Sequence, residues 1–175
     1  MRKRQLDELN RLSPEAFAHS KKHPIVLVLD NIRSGLNVGS AFRTADAFAL
    51  EAVYLCGITA RPPHREILKT AIGASQTVAW QSFDETPQAL RALKKAGYTL
   101  IGVEQTTSST MLHEYELPTD APVALVFGNE VNGIQEEALP LLDGAIEIPQ
   151  FGTKHSLNVS VCVGIVAWEC VRRLS

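Results

Sequence analysis

Apolar residues recur along the chain with two alternating periods, and this alternation predicts an α/β fold. Residues 25–29 form a continuous run of β-branched residues and leucines, which is typical of a strand buried on both faces. Within residues 37–48 the apolar positions lie three and four apart, as in a helix, and Asn37 is available as its N-cap. A buried strand that leads through a short loop into a helix is typical of a parallel sheet flanked by helices.

The same alternation continues through most of the chain. Further strands are predicted at residues 52–56, 77–83, 98–103, 123–127 and 145–148, with helices at residues 65–72 and 87–96 and a short one at 135–142. Residues 105–110 are rich in Thr and Ser, too polar for a core and too long for a tight turn, so they are a candidate ligand-binding loop. The predicted fold class is therefore α/β with a mostly parallel sheet, formed by one domain of residues 25–175.

The two ends of the chain differ from this pattern. In the opening stretch, charges alternate with Leu6, Leu9 and Leu12, which predicts a short amphipathic helix within an N-terminal helical extension of residues 1–24. Residues 157–174 are apolar on nearly every face of the predicted helix. A small domain has only one sheet face to cover such a helix. A second copy of the chain is therefore expected to cover the rest, as in a homodimer.

Composition narrows the class of protein. The chain has 175 residues, 45% of them hydrophobic and 21% charged, which suits a single globular domain. No run is long enough for a membrane span and the first segment is charged, so a cytoplasmic protein without membrane contact is expected. Cys56, Cys162 and Cys170 stand singly and the five histidines show no ligand spacing, so we expect buried thiols and no metal site.

Three stretches carry candidate chemistry. They are NVGSAFR at residues 37–43, LVFGNEVNGI at residues 125–134, and IEIP followed by SLNVS at residues 146–149 and 156–160. In order and spacing they resemble the motifs of the SpoU (TrmH-like) RNA 2'-O-ribose methyltransferases of the SPOUT superfamily. The resemblance covers about residues 25 to 172.

The resemblance implies a fold, a reaction and a site. The fold would include a C-terminal trefoil knot, and the enzyme would be a homodimer with its active site next to the interface. The reaction would move a methyl group from S-adenosylmethionine to a ribose 2'-hydroxyl of tRNA or rRNA, with tRNA favoured. The matched catalytic positions are Arg43, Asn37, Glu130, Ser156 and Asn158. The expected cofactor-binding positions are Gly128, Ile148, Leu157, Val103 and Gly133.

Each of these residues also has an ordinary structural interpretation. Arg43 could form a surface salt bridge, and the short polar residues at element ends could cap helices. Ile148 and Leu157, taken without the motif, would be read as core residues. For Arg43 as a catalytic residue, two roles are open, a general base or a group that stabilises the developing alkoxide. The second is physically easier, because a guanidinium stays protonated in proteins.

The net charge of −2 does not favour RNA binding, so any RNA surface must be a local patch. Candidate patches are Arg2, Lys3 and Arg4, then Lys21 and Lys22, then Arg61, His64, Arg65 and Lys69. A dinucleotide site using Gly35, Gly39 and Glu104 is an alternative, but the chain lacks the G-x-G-x-x-G pattern after its first strand. A second alternative is an RNA-binding module without catalysis, which would not bind S-adenosylmethionine.

Overall fold

Seven parallel strands form one sheet in the computed structural model, which describes residues 1–5 and 7–174. The strands are β1 (His23–Asp30), β2 (Leu50–Cys56), β3 (Ala79–Phe83), β4 (Thr99–Val103), β5 (Thr110–Met111), β6 (Val123–Phe127) and β7 (Gly144–Glu147). Their order across the sheet is β3-β2-β1-β6-β4-β7-β5, and all the described pairings are parallel. The predicted α/β class with a mostly parallel sheet is confirmed.

Helices cover both faces of this sheet. They are α1 (Pro14–His19), α2 (Gly35–Ala47), α3 (Arg65–Ala71), α4 (Ala74–Thr77), α5 (Thr86–Lys95) and α6 (Val159–Leu174), with single 3-10 turns at Asp7–Leu9 and Leu139–Leu141. One core joins Ile25 and Leu27 of β1 to α2, α3 and α6, and the other joins Val26 and Val28 to α5. Alternate residues of β1 thus enter different cores, so β1 is buried on both faces, as its unbroken apolar run predicts.

The N-terminus of α2 differs from the prediction. Ser34, and not Asn37, is the N-cap: its side-chain oxygen accepts the main-chain N–H of Asn37 at 3.3 Å. The helix begins at Gly35, two residues before the predicted start, because serine is as good an N-cap as asparagine and the first turn need not be apolar. The side chain of Asn37 is therefore free for other contacts.

Three further predictions of secondary structure need correction. Thr77 lies in α4 and not in a strand, and its hydroxyl donates to Asp46 Oδ2 at 2.6 Å. The helix expected at residues 135–142 is only the 3-10 turn Leu139–Leu141, because Pro140 has no N–H to donate. The short strand β5 begins at Thr110, the last residue of the predicted loop, and pairs in register with Ile146 of β7. Local pattern does not reveal a pairing between such distant residues.

The N-terminal extension contains less helix than predicted before residue 13. Leu6 lies outside the described residues, Leu9 ends a single 3-10 turn, and Leu12 is exposed. The main helix of this region is α1, which is capped by the Ser13 hydroxyl and buries Phe17. The first strand then begins at His23, two residues earlier than expected.

Helix α6 is buried on one side only. Val163, Val166 and Cys170 enter the core, whereas Val161, Ile165 and Trp168 are exposed on the opposite side. The described chain alone therefore leaves part of this helix uncovered, as the expectation of a second copy requires. Among the described residues, no helix is both long and apolar enough to cross a membrane.

All three cysteines are free thiols. Cys56 and Cys170 are buried as expected, and burial raises the pKa of each thiol to about 12. Cys162 departs from the expectation, because it is half-buried and lines the cavity described below. Among the described residues, no group of His, Cys, Asp and Glu side chains is arranged to hold a metal ion.

Candidate functional site

A cavity of about 480 Å³ lies at the carboxyl ends of β4, β6 and β7, beside the first turn of α6. Its walls come from the loops that follow these three neighbouring strands. In parallel α/β sheets, this edge is where ligands bind, because loops from several strands converge there. The cavity is lined by Val103, Glu104, Gln105, Phe127, Gly128, Asn129, Glu130, Val131, Gly133, Ile146, Glu147, Ile148, Gln150, His155, Ser156, Leu157, Asn158, Val159 and Cys162.

The structure gathers most of the predicted site residues here. All five expected cofactor-binding positions line the cavity: Val103, Gly128, Gly133, Ile148 and Leu157. Of the expected catalytic positions, Glu130, Ser156 and Asn158 also line it. Asn37 and Arg43 do not, although Asn37 reaches the cavity wall through hydrogen bonds described below. The roles assigned to these residues remain predictions.

The loop after β6 folds back on itself so tightly that Gly128 has no room for a side chain. The main-chain N–H groups of Asn129 and Gly133 each donate to the other's carbonyl at 2.9 Å. A Cβ atom at Gly128 would lie 2.1 Å from the carbonyl carbon of Gly133, and Gly133 itself has a φ of +70°. Both positions therefore require glycine, and the cavity gains a wall made of main-chain groups.

Glu130 fastens this loop to the start of α2. Its Oε2 accepts the N–H of Arg33 at 2.9 Å, and its Oε1 accepts the N–H of Ser34 at 3.1 Å and the Asn37 amide at 3.0 Å. Three donors converge on one carboxylate, at the N-terminus of a helix whose dipole favours negative charge. The first and second motifs are thus joined through a charged group.

Asn37 and Asn158 extend this contact to the third motif. The Asn158 amide donates to Asn37 Oδ1 at 3.2 Å, while its own Oδ1 accepts the N–H of Ser160 at 2.9 Å, as an N-cap of α6 does. The functional and capping interpretations of Asn158 are therefore compatible. Glu130, Asn37 and Asn158 form one hydrogen-bonded chain that fixes the three motifs relative to each other.

The pKa of Glu130 reflects this arrangement. Burial raises it, but the hydrogen bonds from Arg33, Asn37 and Ser34 outweigh burial and hold the pKa below its ordinary value of 4.5. A carboxyl group with a lowered folded pKa stabilises the folded state above its ordinary pKa, and this stabilisation is lost as the pH falls through the folded value.

Glu130→Gln is accordingly expected to lower the melting temperature at pH 7, and the difference from the wild type should shrink below pH 4.5 as the wild-type carboxylate protonates. Thermal unfolding measured across this pH range checks the prediction. Glu136→Gln, which removes an exposed carboxylate outside the cavity lining, is the control and should change little. A difference in melting temperature between the wild type and Glu130→Gln that does not depend on pH would contradict a stabilising role for the Glu130 charge.

Arg43 is exposed on α2, six residues beyond Asn37 and so about 9 Å further along the helix axis. In the part of the chain that the structure describes, no hydrogen bond or ion pair engages its guanidinium, so the salt-bridge interpretation has no support. The side chain is available to an anion from outside the chain. Ser156 is likewise exposed at the cavity wall.

A buried carboxylate behind the cavity was not predicted. Asp30, at the end of β1, is fully buried and accepts the Thr86 hydroxyl at 2.5 Å, the Asn31 amide at 2.8 Å and the N–H of Gln135 at 2.8 Å. The Asn129 amide donates to the Asn31 carbonyl at 2.6 Å. These bonds join the loops that follow β1 and β6, and a satisfied buried network of this kind makes a site rigid.

The sequence did not single out several cavity residues, among them Glu147 and His155, and it named Glu104 only for the alternative dinucleotide site. The place of Glu104 in this cavity could have been predicted, because it directly follows β4 at the edge where strand ends converge. Of the predicted ligand loop at residues 105–110, only Gln105 lines the cavity, and its amide donates to the His155 carbonyl at 3.0 Å.

The relatives found by comparison with known proteins are named as RNA 2'-O-methyltransferases. The 23S rRNA (guanosine-2'-O-)-methyltransferase of Neisseria meningitidis serogroup B is 35% identical over 150 residues, which cover 86% of this chain and 59% of that protein. The tRNA (guanosine(18)-2'-O)-methyltransferase of Thermus thermophilus is 29% identical over 170 residues, which cover 97% of this chain and 86% of that protein. The chain spans 59% to 66% of the length of the first relatives that it matches.

A solved structure agrees in fold. The AdoMet-bound rRNA methyltransferase from Sinorhizobium meliloti superposes with a TM-score of 0.81 at 27% identity, covering 94% of this chain and 62% of that one. The family described as the SpoU rRNA methylases matches residues 24–168, a range that contains all three motifs and the whole cavity. The chain therefore belongs to the SpoU rRNA methylase family.

Proposed function

We propose that this protein transfers a methyl group from S-adenosylmethionine to a ribose 2'-hydroxyl of RNA. The observation that carries the proposal is the convergence of the cofactor-binding positions on one cavity, with the Glu130, Asn37 and Asn158 chain along its wall. The names of the relatives support it, since they are RNA 2'-O-methyltransferases, and one solved relative holds the same cofactor.

The cavity residues fit S-adenosylmethionine. A volume of about 480 Å³ lies in the range of roughly 300 to 1,000 Å³ that small-molecule sites occupy. Val103, Ile148 and Leu157 offer apolar surface for the adenine ring, and the tight turn between Gly128 and Gly133 offers main-chain donors and acceptors. These five residues would hold the cofactor.

The reaction requires one bond to form and another to break. Bound S-adenosylmethionine would supply a methyl group from its sulfonium to the ribose oxygen and would leave as a thioether that keeps the electron pair of the carbon–sulfur bond, while the ribose hydroxyl would release its proton to solvent. Arg43 carries a permanent charge and has no partner among the described residues, so it can grip a substrate phosphate and stabilise the negative charge that develops on the ribose oxygen. This role needs no deprotonation of the guanidinium.

The RNA substrate is proposed to be tRNA or rRNA, with tRNA favoured. Both classes stand in the names of the relatives, and the tRNA-methylating relative is covered over 86% of its length. Two of the predicted basic patches include an ion pair that reduces their positive charge. The Arg2 guanidinium lies 2.6 Å from the Glu8 carboxylate, and the Arg61 guanidinium lies 3.5 Å from the Asp84 carboxylate. Mass spectrometry of nucleosides from tRNA and rRNA, isolated from cells with and without this protein, identifies the methylated RNA.

A second copy of this chain is proposed to cover the exposed side of α6. Ile165 and Trp168 border an apolar groove of about 580 Å³ that Leu112 and Pro149 also line, and the Trp168 ring lies 5.8 Å from that of Phe48. A helix with this much exposed apolar surface is typical of a subunit interface. The C-terminal trefoil knot and the cytoplasmic location stay predictions from the sequence and its resemblance.

Gly128→Ala tests the cofactor site. The added Cβ would lie 2.1 Å from main-chain atoms of Gly133 and Ile134, so the turn must open and S-adenosylmethionine should bind at least about tenfold more weakly. Titration calorimetry measures this. Gly152→Ala is the control, because no atom lies within 4 Å of its added Cβ. A wild-type protein that does not bind the cofactor at millimolar concentration would favour the RNA-binding module without catalysis.

A further inference from the structure

The walls of the cavity carry three carboxylates and, among the described residues, no Lys or Arg side chain to pair with them. Glu104, Glu130 and Glu147 all line it, and none of the described residues of its lining is a Lys or Arg. No ion pair joins these three carboxylates to a basic side chain in the described part of the chain. A ligand in this cavity is therefore held in a negative field.

Glu104 is held at the cavity wall by main-chain hydrogen bonds. It is half-buried, with Oε1 accepting the N–H of Gln105 and Oε2 accepting the N–H of Ile134, both at 3.0 Å. A Cβ atom at Gly133 would lie 2.3 Å from Glu104 Oε2, so the carboxylate rests against the glycine of the cavity wall. Two main-chain donors hold its position and leave its charge unpaired.

The raised pKa of the Cys162 thiol has burial as its first cause and the charge of Glu104 as another. Burial raises the pKa of Cys162, and the charge of Glu104 raises it further, since both disfavour a second negative charge. Cys162 lies in the cavity lining, on the first turns of α6. The charge of Glu104 thus acts on a second residue of the cavity lining.

We propose that these carboxylates, Glu104 foremost, make the cavity select a cationic sulfonium ligand over its neutral thioether product. This inference rests on the proposed function. S-adenosylmethionine and S-adenosylhomocysteine share every group except the methyl and the charge that it places on sulfur. Methyl transfer therefore removes the attraction between the sulfur and the wall carboxylates, and the product leaves more easily than the substrate.

The width of the cavity determines how strongly a wall carboxylate can change the affinity for a cationic ligand. A volume of about 480 Å³ corresponds to a width of about 8 Å, so every wall carboxylate lies within that order of distance from a bound sulfur atom. A unit charge at such a distance changes an affinity by roughly twofold at the dielectric of water and by roughly thirtyfold at an effective dielectric of about 20, so an intermediate effect of about tenfold is expected.

The experiment compares three ligands by titration calorimetry on the full chain. S-adenosylmethionine and sinefungin, a cationic analogue with an amine in place of the sulfonium group, should each bind the wild type about tenfold more tightly than S-adenosylhomocysteine. Glu104→Gln should weaken the two cationic ligands several-fold and leave S-adenosylhomocysteine unchanged. Glu116→Gln removes the same charge at an exposed position outside the cavity and should alter none of the three.

Glu104→Asp distinguishes an effect of the carboxylate charge from an effect of side-chain length. It keeps the carboxylate but shortens it, so the preference for cationic ligands should persist even where overall affinity falls. Equal weakening of all three ligands by Glu104→Gln would mean that Glu104 only supports the loop, and the inference would fail. Wild-type binding of S-adenosylhomocysteine as tight as that of S-adenosylmethionine would overturn it while leaving the proposed function intact. Absence of binding by all three would overturn both.

Discussion

Arg43→Ala is expected to lower the turnover of methyl transfer by about two orders of magnitude or more, the scale for loss of a group that stabilises transition-state charge. Cofactor affinity should stay unchanged, because Arg43 does not line the cavity. Folding should also be unaffected, since the side chain is exposed and has no partner among the described residues. Single-turnover kinetics and calorimetry with S-adenosylmethionine measure the two quantities separately.

Two further variants test whether the loss of turnover is specific to Arg43 and to its guanidinium group. Arg91→Ala removes an exposed arginine from α5, away from the cavity lining, and should leave turnover near the wild-type value. Arg43→Lys keeps the positive charge but loses the planar fork that grips a phosphate, so it should recover only part of the turnover. Full activity of Arg43→Ala would remove this residue from the proposed mechanism.

Ile165→Glu is expected to separate the protein into folded, inactive monomers. Ile165 is 38% exposed on the uncovered side of α6, so a carboxylate there is solvated in a monomer and buried in a dimer. The resemblance places the active site next to the interface, so dissociation should abolish methylation as well. Sedimentation and circular dichroism report the assembly and the fold.

Val163→Glu is the matched contrast on the same helix. Val163 is 1% exposed and packs in the core of its own protomer, so a carboxylate there costs several kcal/mol of folding stability, roughly the penalty of an unpaired buried charge. This variant should unfold or aggregate, whereas Ile165→Glu should stay folded. A wild-type protein that sediments as a fully active monomer at micromolar concentration would contradict the dimer proposal.

Local pattern was sufficient for the elements with strong periodicity. The apolar run at residues 25–29 lies within β1, and the helical spacing at residues 37–48 predicts both ends of α2 within two residues. Prediction was weaker where a nearby residue competes for the same role, as Ser34 does with Asn37 at the N-cap. It failed for residues 135–142, where Pro140 limits the helix to one turn.

The sequence by itself determined the α/β class and the three motifs, because each depends on residues close together in the chain. Only the tertiary structure decided which distant groups meet. Glu130 accepts from Asn37 across 93 positions, and Asn158 donates to Asn37 across 121. The order of the strands in the sheet brings these residues to one edge, and periodicity carries no information about that order. For the same reason, only the fold shows that Glu104 faces the cavity and that α6 buries Val163 but exposes Ile165.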